Sequence, residues 1–192
     1  MARPRAFDEQ QVVQQAMQLF WQKGYRQTSP RDLLEATGLS KSSLYATFGS
    51  KRELFLRVLA IYGEEQGQVM AAMLGQGNLR QGLELMYAQL LEMVTSAEGP
   101  NACLVCMTSL EVDDDPAIDA QLAQARGHLV RVFRSRLERA RSEGELGPDA
   151  DPEALASFLF TTNMGLVAHA RAGGSPEELG RAVQLALKAV FG

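Results

Sequence analysis

Apolar residues return every three or four positions along almost the whole chain and never alternate strictly, which predicts helices and no strands. The first stripe, Val12, Val13, Ala16, Met17, Leu19 and Phe20, predicts a helix over 8–23 that Gly24 stops. Thr28 and Ser29 precede Pro30, a residue favoured in a first helical turn, and open a short helix to Thr37 that Gly38 ends. Ser40 is placed to cap a second short helix, 41–47. Ser50 is placed to cap a fourth running to Leu74, with Glu53 three residues on as in a capping box. Helices over 79–96, 101–112, 116–143, 152–172 and 176–191 follow, divided by clusters of Gly, Pro and Asp. The expected fold is therefore all-α, with nine helices.

Charge divides the chain. Net charge is −4 over 192 residues, which alone speaks against nucleic acid. Residues 1–57, however, hold nine Lys and Arg against five acids, net +4, while 58–192 hold ten against eighteen, net −8. A basic first third on an acidic remainder suggests that one end meets a polyanion. No apolar run approaches the ~18 residues of a membrane span, and no apolar stretch follows Arg3 and Arg5 as it would in a secretory signal. The expected location is cytoplasmic. Two cysteines, Cys103 and Cys106, supply no disulfide framework, and His128 and His169 lie too far from them in sequence to suggest zinc. No metal or cofactor is expected. Without a Gly-rich phosphate loop, a metal-spaced cluster or a nucleophile–base pair, an enzyme is not expected either.

The stretch 28–51, TSPRDLLEATGLSKSSLYATFGSK, carries the most chemistry. Two short helices around a tight Gly-containing turn form the unit that lays its second helix in a major groove. Leu33, Leu34, Ala36, Leu39, Leu44 and Phe48 can pack inward, leaving Lys41, Ser42, Ser43, Ala46 and Thr47 outward or sideways. Small polar side chains there permit close approach to base edges. Tyr45 can hydrogen-bond a phosphate, and Lys51 adds its charge to a helix N-terminus. Taken alone, the pattern also fits a plain helical hairpin with a polar outer face.

The whole run over residues 7–55 resembles the DNA-binding domain of the TetR family of bacterial transcriptional regulators. The residues that carry the likeness are the first helix ending F-x-x-x-G-Y, then T-S, then G-L-S-K-S-S-L-Y-A-T-F-G-S-K-R-E-L-F. The resemblance implies a three-helix DNA-binding domain with a helix-turn-helix at 1–50 and a helical ligand-binding and dimerisation domain at 51–192. It further implies a homodimer on an inverted-repeat operator in double-stranded DNA, with a small-molecule inducer that releases the repressor. It assigns DNA contact to Thr28, Ser40, Lys41, Ser42, Ser43, Tyr45, Thr47 and Lys51, with Arg5 (and Arg3) on the arm before the first helix. Ala46 and Thr47 stand where the family often has an aromatic or His. Pro30 replaces a β-branched residue without evident harm. The segment 100–111 is similar to a G-C-L-x-x-N-T-x-x-E stretch of one subgroup, with Ala102 and Met107 as departures.

The body offers less. Met70, Met73, Met86, Met93, Met107 and Met164, with Tyr62, Tyr87, Phe133, Phe158 and Phe160, are ordinary core material or the lining of an apolar pocket for an apolar or aromatic inducer. Thr108, Thr161, Thr162, Asn163 and His169 are candidate polar anchors. From this pool the expected ligand set is Met70, Tyr87, Cys103, Cys106, Met107, Phe133, Phe158, Thr162 and His169. Cys103 and Cys106 share a helix face. They read either as small buried hydrophobes or as a sensor of electrophiles, against which the nearby acids and missing Lys and Arg weigh. The last two helices have apolar faces, and the dimer interface is expected at Leu155, Phe158, Thr162, Leu166, Leu179, Val183, Ala186, Leu187 and Val190; an intrachain seam is the other possibility. A helical adaptor without specific DNA binding is the remaining alternative, which the Lys41, Tyr45 and Lys51 set opposes.

Overall fold

In a computed structural model, residues 7–96, 102–111 and 115–192 are described, and among them the regular structure is helical throughout. The elements are α1 (Glu9–Lys23), α2 (Pro30–Thr37), α3 (Lys41–Phe48), α4 (Lys51–Leu74), α5 (Leu79–Thr95), α6 (Leu104–Glu111), α7 (Pro116–Ser142), α8 (Pro152–Arg171) and α9 (Pro176–Phe191). The expected boundaries stand to within a few residues, because local chemistry sets them. Ser29 and Asp32 form a reciprocal capping box at α2, and Ser40 Oγ accepts from the Ser43 N–H at 3.2 Å. At Ser50 the expected box is half formed: its Oγ accepts from the Glu53 N–H, while the Glu53 carboxylate lies over Gly49. Gly38, φ +66°, makes the left-handed turn between α2 and α3.

Two cores fill the molecule. The first gathers Val12, Phe20, Leu33, Leu44, Phe55 and Tyr62 from α1 to α4, and it takes in Leu104, Val105, Ile118 and Leu122 from α6 and α7. The second joins α4 and α5 to α7, α8 and α9 around Leu83, Phe133, Leu137, Leu159 and Leu187. Trp21 and Cys103 pack against both. The long helices α4 and α7 lie close because Gly63 and Gly67 face Ala125 and His128. A Cβ on Gly67 would fall 2.0 Å from His128 Nε2. Arg136, buried in α7, donates to the Leu74 carbonyl and pairs with Glu145, whose carboxylate also accepts from the Leu79 N–H; this ties α4, α5 and α7 together.

The last two helices place most of the expected interface residues inside the chain. Leu166, Leu179, Val183, Ala186, Leu187 and Val190 are buried within the chain itself, Leu179 at 0% exposure. Their stripe packs α9 on α5 and α8 as an intrachain seam, which leaves these residues little exposed surface. Leu155 and Thr162 are half-buried and Phe158 stays 40% exposed. The exposed apolar residue on α9 is Leu185, at 68%, on the face away from the predicted stripe.

Candidate nucleic-acid interface and ligand cavity

Leu44 and Phe48 anchor α3 in the first core, which turns the opposite face outward. Ser40, Lys41, Ser42 and Ala46 are exposed there, and Ser43, Tyr45, Thr47 and Lys51 are half-buried. The Ser40 hydroxyl lies within 3.0 Å of Ser42 Oγ and donates to Ser43 Oγ at 2.9 Å, so the helix start presents linked hydroxyls beside a lysine. Lys51 Nζ sits 4.4 Å from the Tyr25 ring centroid. Burial lowers its pKa from the usual lysine value, against the opposing pull of Asp32. Tyr25 in turn stacks on Phe55 at 4.4 Å, so packing fixes the lysine at the start of α4.

Thr28 leaves this set. It is 1% exposed, and its hydroxyl donates to the Gly24 carbonyl at 2.7 Å, closing the turn after α1. Its role is to hold α2 in register. Arg3 and Arg5 lie outside the described residues.

The second feature is a cavity of about 210 Å³ between α4, α5, α6, α7 and α8. Of the expected ligand set it brings together Met70, Cys103, Cys106 and Phe133. The others lie elsewhere. Tyr87 and Met107 are buried in the core, Thr162 donates to the Phe158 carbonyl at 2.9 Å, Phe158 faces outward, and His169 is exposed, 4.0 Å from Glu178. From the wider pool, Tyr62, Met73, Met86, Met93, Phe160, Asn163 and Met164 line it. Gln66, Val69, Gln89, Leu90, Leu129 and Val167 also do, and sequence reasoning missed them. A helical stripe marks what is inward, and it gives no sign of where neighbouring helices fail to meet.

The lining is sulfur-rich and, among the described residues, holds no Lys, Arg, His, Asp or Glu. Cys103, the residue before α6, has its thiol pKa held below the usual value. Contact with the Cys106 thiol lowers it most, followed by the Cys106 N–H, the Tyr62 hydroxyl and the Val105 N–H. Cys106 is shifted upward by the same contact and by burial. The neighbouring thiol is thus the main cause, and the N–H groups at the start of α6 add to it in the absence of a cation. Cys106 Sγ also lies 2.8 Å from Met164 Sδ.

The cavity wall reaches the DNA-reading head. Tyr62 accepts a hydrogen bond from the Leu104 N–H at 3.2 Å and meets Trp21 edge-on at 5.4 Å. Trp21, on α1, donates its indole N–H to the Ala102 carbonyl. Arg52 at the start of α4 and Asp115 before α7 add a bidentate ion pair, at 2.5 and 2.7 Å.

Two family models match this arrangement: the model of bacterial regulatory proteins, tetR family, over residues 12–58, and that of the tetracyclin repressor-like C-terminal domain over residues 80–186. The chain belongs to the TetR family. The helix-turn-helix of α2 and α3 falls inside the first match and most of the cavity inside the second. This TetR-family chain is 30% identical to YezE of Bacillus subtilis, an uncharacterized HTH-type transcriptional regulator, over 97% of this chain and 98% of that one. It is 32% identical to the HTH-type transcriptional repressor ComR of Escherichia coli, over 92% and 86%. Among solved structures, a cysteine mutant of the TetR-family regulator CifR, complexed with 26 bp operator DNA, superposes with a TM-score of 0.85. It is 36% identical and covers 98% of this chain and 100% of that one. Reduced NemR of Escherichia coli shares the fold, with a TM-score of 0.86 at 22% identity, covering 95% of this chain and 96% of that one.

Proposed function

We propose that this chain is a homodimeric transcriptional repressor that reads an inverted-repeat operator through α3 and releases it when a small molecule fills the cavity. The observation that carries this reading is the exposed, capped, polar face of α3 with Lys41 and the packed Lys51 beside it. End-to-end similarity to a regulator solved in complex with operator DNA supports it. Residues 1–50 act as the reading unit and 51–192 as the sensing and dimerising unit, with α4 as the lever between them. Phe158 and Leu185 offer apolar surface on α8 and α9 for a second copy. Two recognition helices would then face half-sites one turn apart, roughly 34 Å. The protein works in the cytoplasm, where its DNA is.

Release follows from linkage: a ligand loosens the complex only if it binds the DNA-free geometry more tightly. The route is short. Filling the cavity displaces Tyr62 and the start of α6, and Trp21 passes that movement to α1. The deciding experiment is operator binding at controlled salt, using DNA from upstream of the protein's own gene. Nanomolar, sequence-selective binding by the native chain, lost in a Tyr45→Ala, Lys51→Ala variant, is the expected outcome. Equal, weak binding of both to any DNA would sink the reading and favour the adaptor.

One observation favours a second reading, thiol sensing at Cys103: the depressed pKa of a thiol that lines the cavity. With iodoacetamide near neutral pH, Cys103 should form its S–C bond, with loss of iodide, well before Cys106. Equal rates by peptide mass analysis would remove this reading.

A further inference from the structure

Four buried side-chain polar atoms among the described residues lack a hydrogen-bond partner: Tyr87 Oη, Arg134 Nε, Arg136 Nη1 and Asn163 Oδ1. Of these residues, Asn163 is the one that lines the cavity. The other end of its amide does little better, since Nδ2 has only the Met86 sulfur, at 4.0 Å. A buried amide left this way is costly, and natural sequences seldom keep one without a use.

The rest of the lining narrows what that use is. Among the described residues no Lys, Arg, His, Asp or Glu lines the cavity, so a charged ligand would find no counter-charge among them. Gln66, half-buried as Asn163 is, and the exposed Gln89 also line it, but neither holds a buried side-chain atom without a partner. Phe133, Phe160 and the methionines provide a soft, polarisable wall. A dry apolar cavity of about 150 Å³ holds benzene, so about 210 Å³ admits one or two fused rings.

We propose that the cavity takes an uncharged aromatic molecule bearing a hydroxyl group, and that Asn163 is its polar anchor. The proposal rests on the ligand-cavity reading above. A hydroxyl suits Asn163 whichever way its amide is turned, donating to the oxygen or accepting from the nitrogen. The surrounding apolar wall then supplies affinity, and the amide supplies the choice among ligands.

Three probes of one shape test it by isothermal titration calorimetry on the full-length protein: naphthalene, 1-naphthol and 1-naphthoate. The native chain should bind 1-naphthol roughly tenfold more tightly than naphthalene, the ordinary weight of one hydrogen bond. It should not bind 1-naphthoate measurably. Asn163→Leu should bring 1-naphthol down to the naphthalene level and leave naphthalene nearly unchanged, which also shows that the variant keeps its cavity. Gln89→Leu should preserve the tenfold preference. Naphthalene binding without preference for 1-naphthol, a preference that survives Asn163→Leu, or tight 1-naphthoate binding would each overturn the proposal while leaving the cavity reading intact. Failure of all three probes on the native chain would overturn both.

Discussion

The head and the cavity are held by different means. In the head, short helices are fixed by contacts a few residues apart: Ser29 with Asp32, Ser40 with Ser43, and Gly38 in its left-handed turn. Aromatic rings close its core, Phe20 against Phe55 at 4.8 Å and Tyr25 against Phe55 at 4.4 Å. Around the cavity the wall is mainly methionine, with three aromatic rings, two cysteines and glutamine, drawn from helices far apart in sequence. A rigid reading surface must present the same groups to every operator, whereas a sensing wall must give way when something enters. Aromatic packing suits the first need and unbranched, polarisable side chains the second.

Substitution should break this contrast unequally. Phe55→Ala empties the centre of the head and should cost about 3–5 kcal/mol, whereas Met70→Leu in the cavity wall should cost under about 1.5 kcal/mol. Urea unfolding of both variants measures the difference. Equal losses would mean that the wall is as rigid as the head.

A smaller effect tests whether the two regions communicate where they touch. Trp21→Phe keeps the ring contact with Tyr62 but leaves the buried Ala102 carbonyl without its indole donor. Operator affinity without ligand should stay within a few-fold. The ligand-induced loss of affinity should shrink by about tenfold, equivalent to ~1.4 kcal/mol of coupling. Unchanged coupling would move the route to α4 alone.

The smallest effect is electrostatic. The hydrogen-bonded Arg52 guanidinium lowers the Asp115 pKa to about 2, below its ordinary value of 3.8. A carboxylate lowered on folding adds stability that is fully present above its unfolded value and is lost as pH falls through the folded one. The ion pair between α4 and the start of α7 should therefore hold at pH 5 and fade between about pH 4 and 2. Because both partners are substantially exposed, the contribution is modest and falls with salt. An Asp115→Asn variant should show a weaker acid dependence over that window; an identical profile would assign the effect to other carboxylates.

The same contrast explains what was legible in the sequence. Caps and stops are local, so the helices and the outward face of α3 could be read from residue spacing. Spacing does not reveal that the Thr28 hydroxyl turns back on the Gly24 carbonyl and is buried there. The α9 stripe fits a subunit surface and an intrachain seam equally, because an amphipathic face does not say which partner covers it. Here α5 and α8 do, and Arg80 over the Phe191 ring at 4.2 Å helps close that seam. The cavity was half legible: Met70, Cys103, Cys106 and Phe133 are residue types that suit a pocket. Gln66 and Gln89 look like surface residues until α4 and α5 are set beside α8.

The chain contains a single tryptophan, and it stands where the two cores meet. Its indole touches Tyr62 in the cavity wall and holds a backbone carbonyl at the start of α6. Tryptophan emission depends on the polarity and hydrogen bonding around the ring. The native protein thus carries an unlabelled optical gauge at its own hinge, and the colour of its fluorescence reports how the head sits on the body.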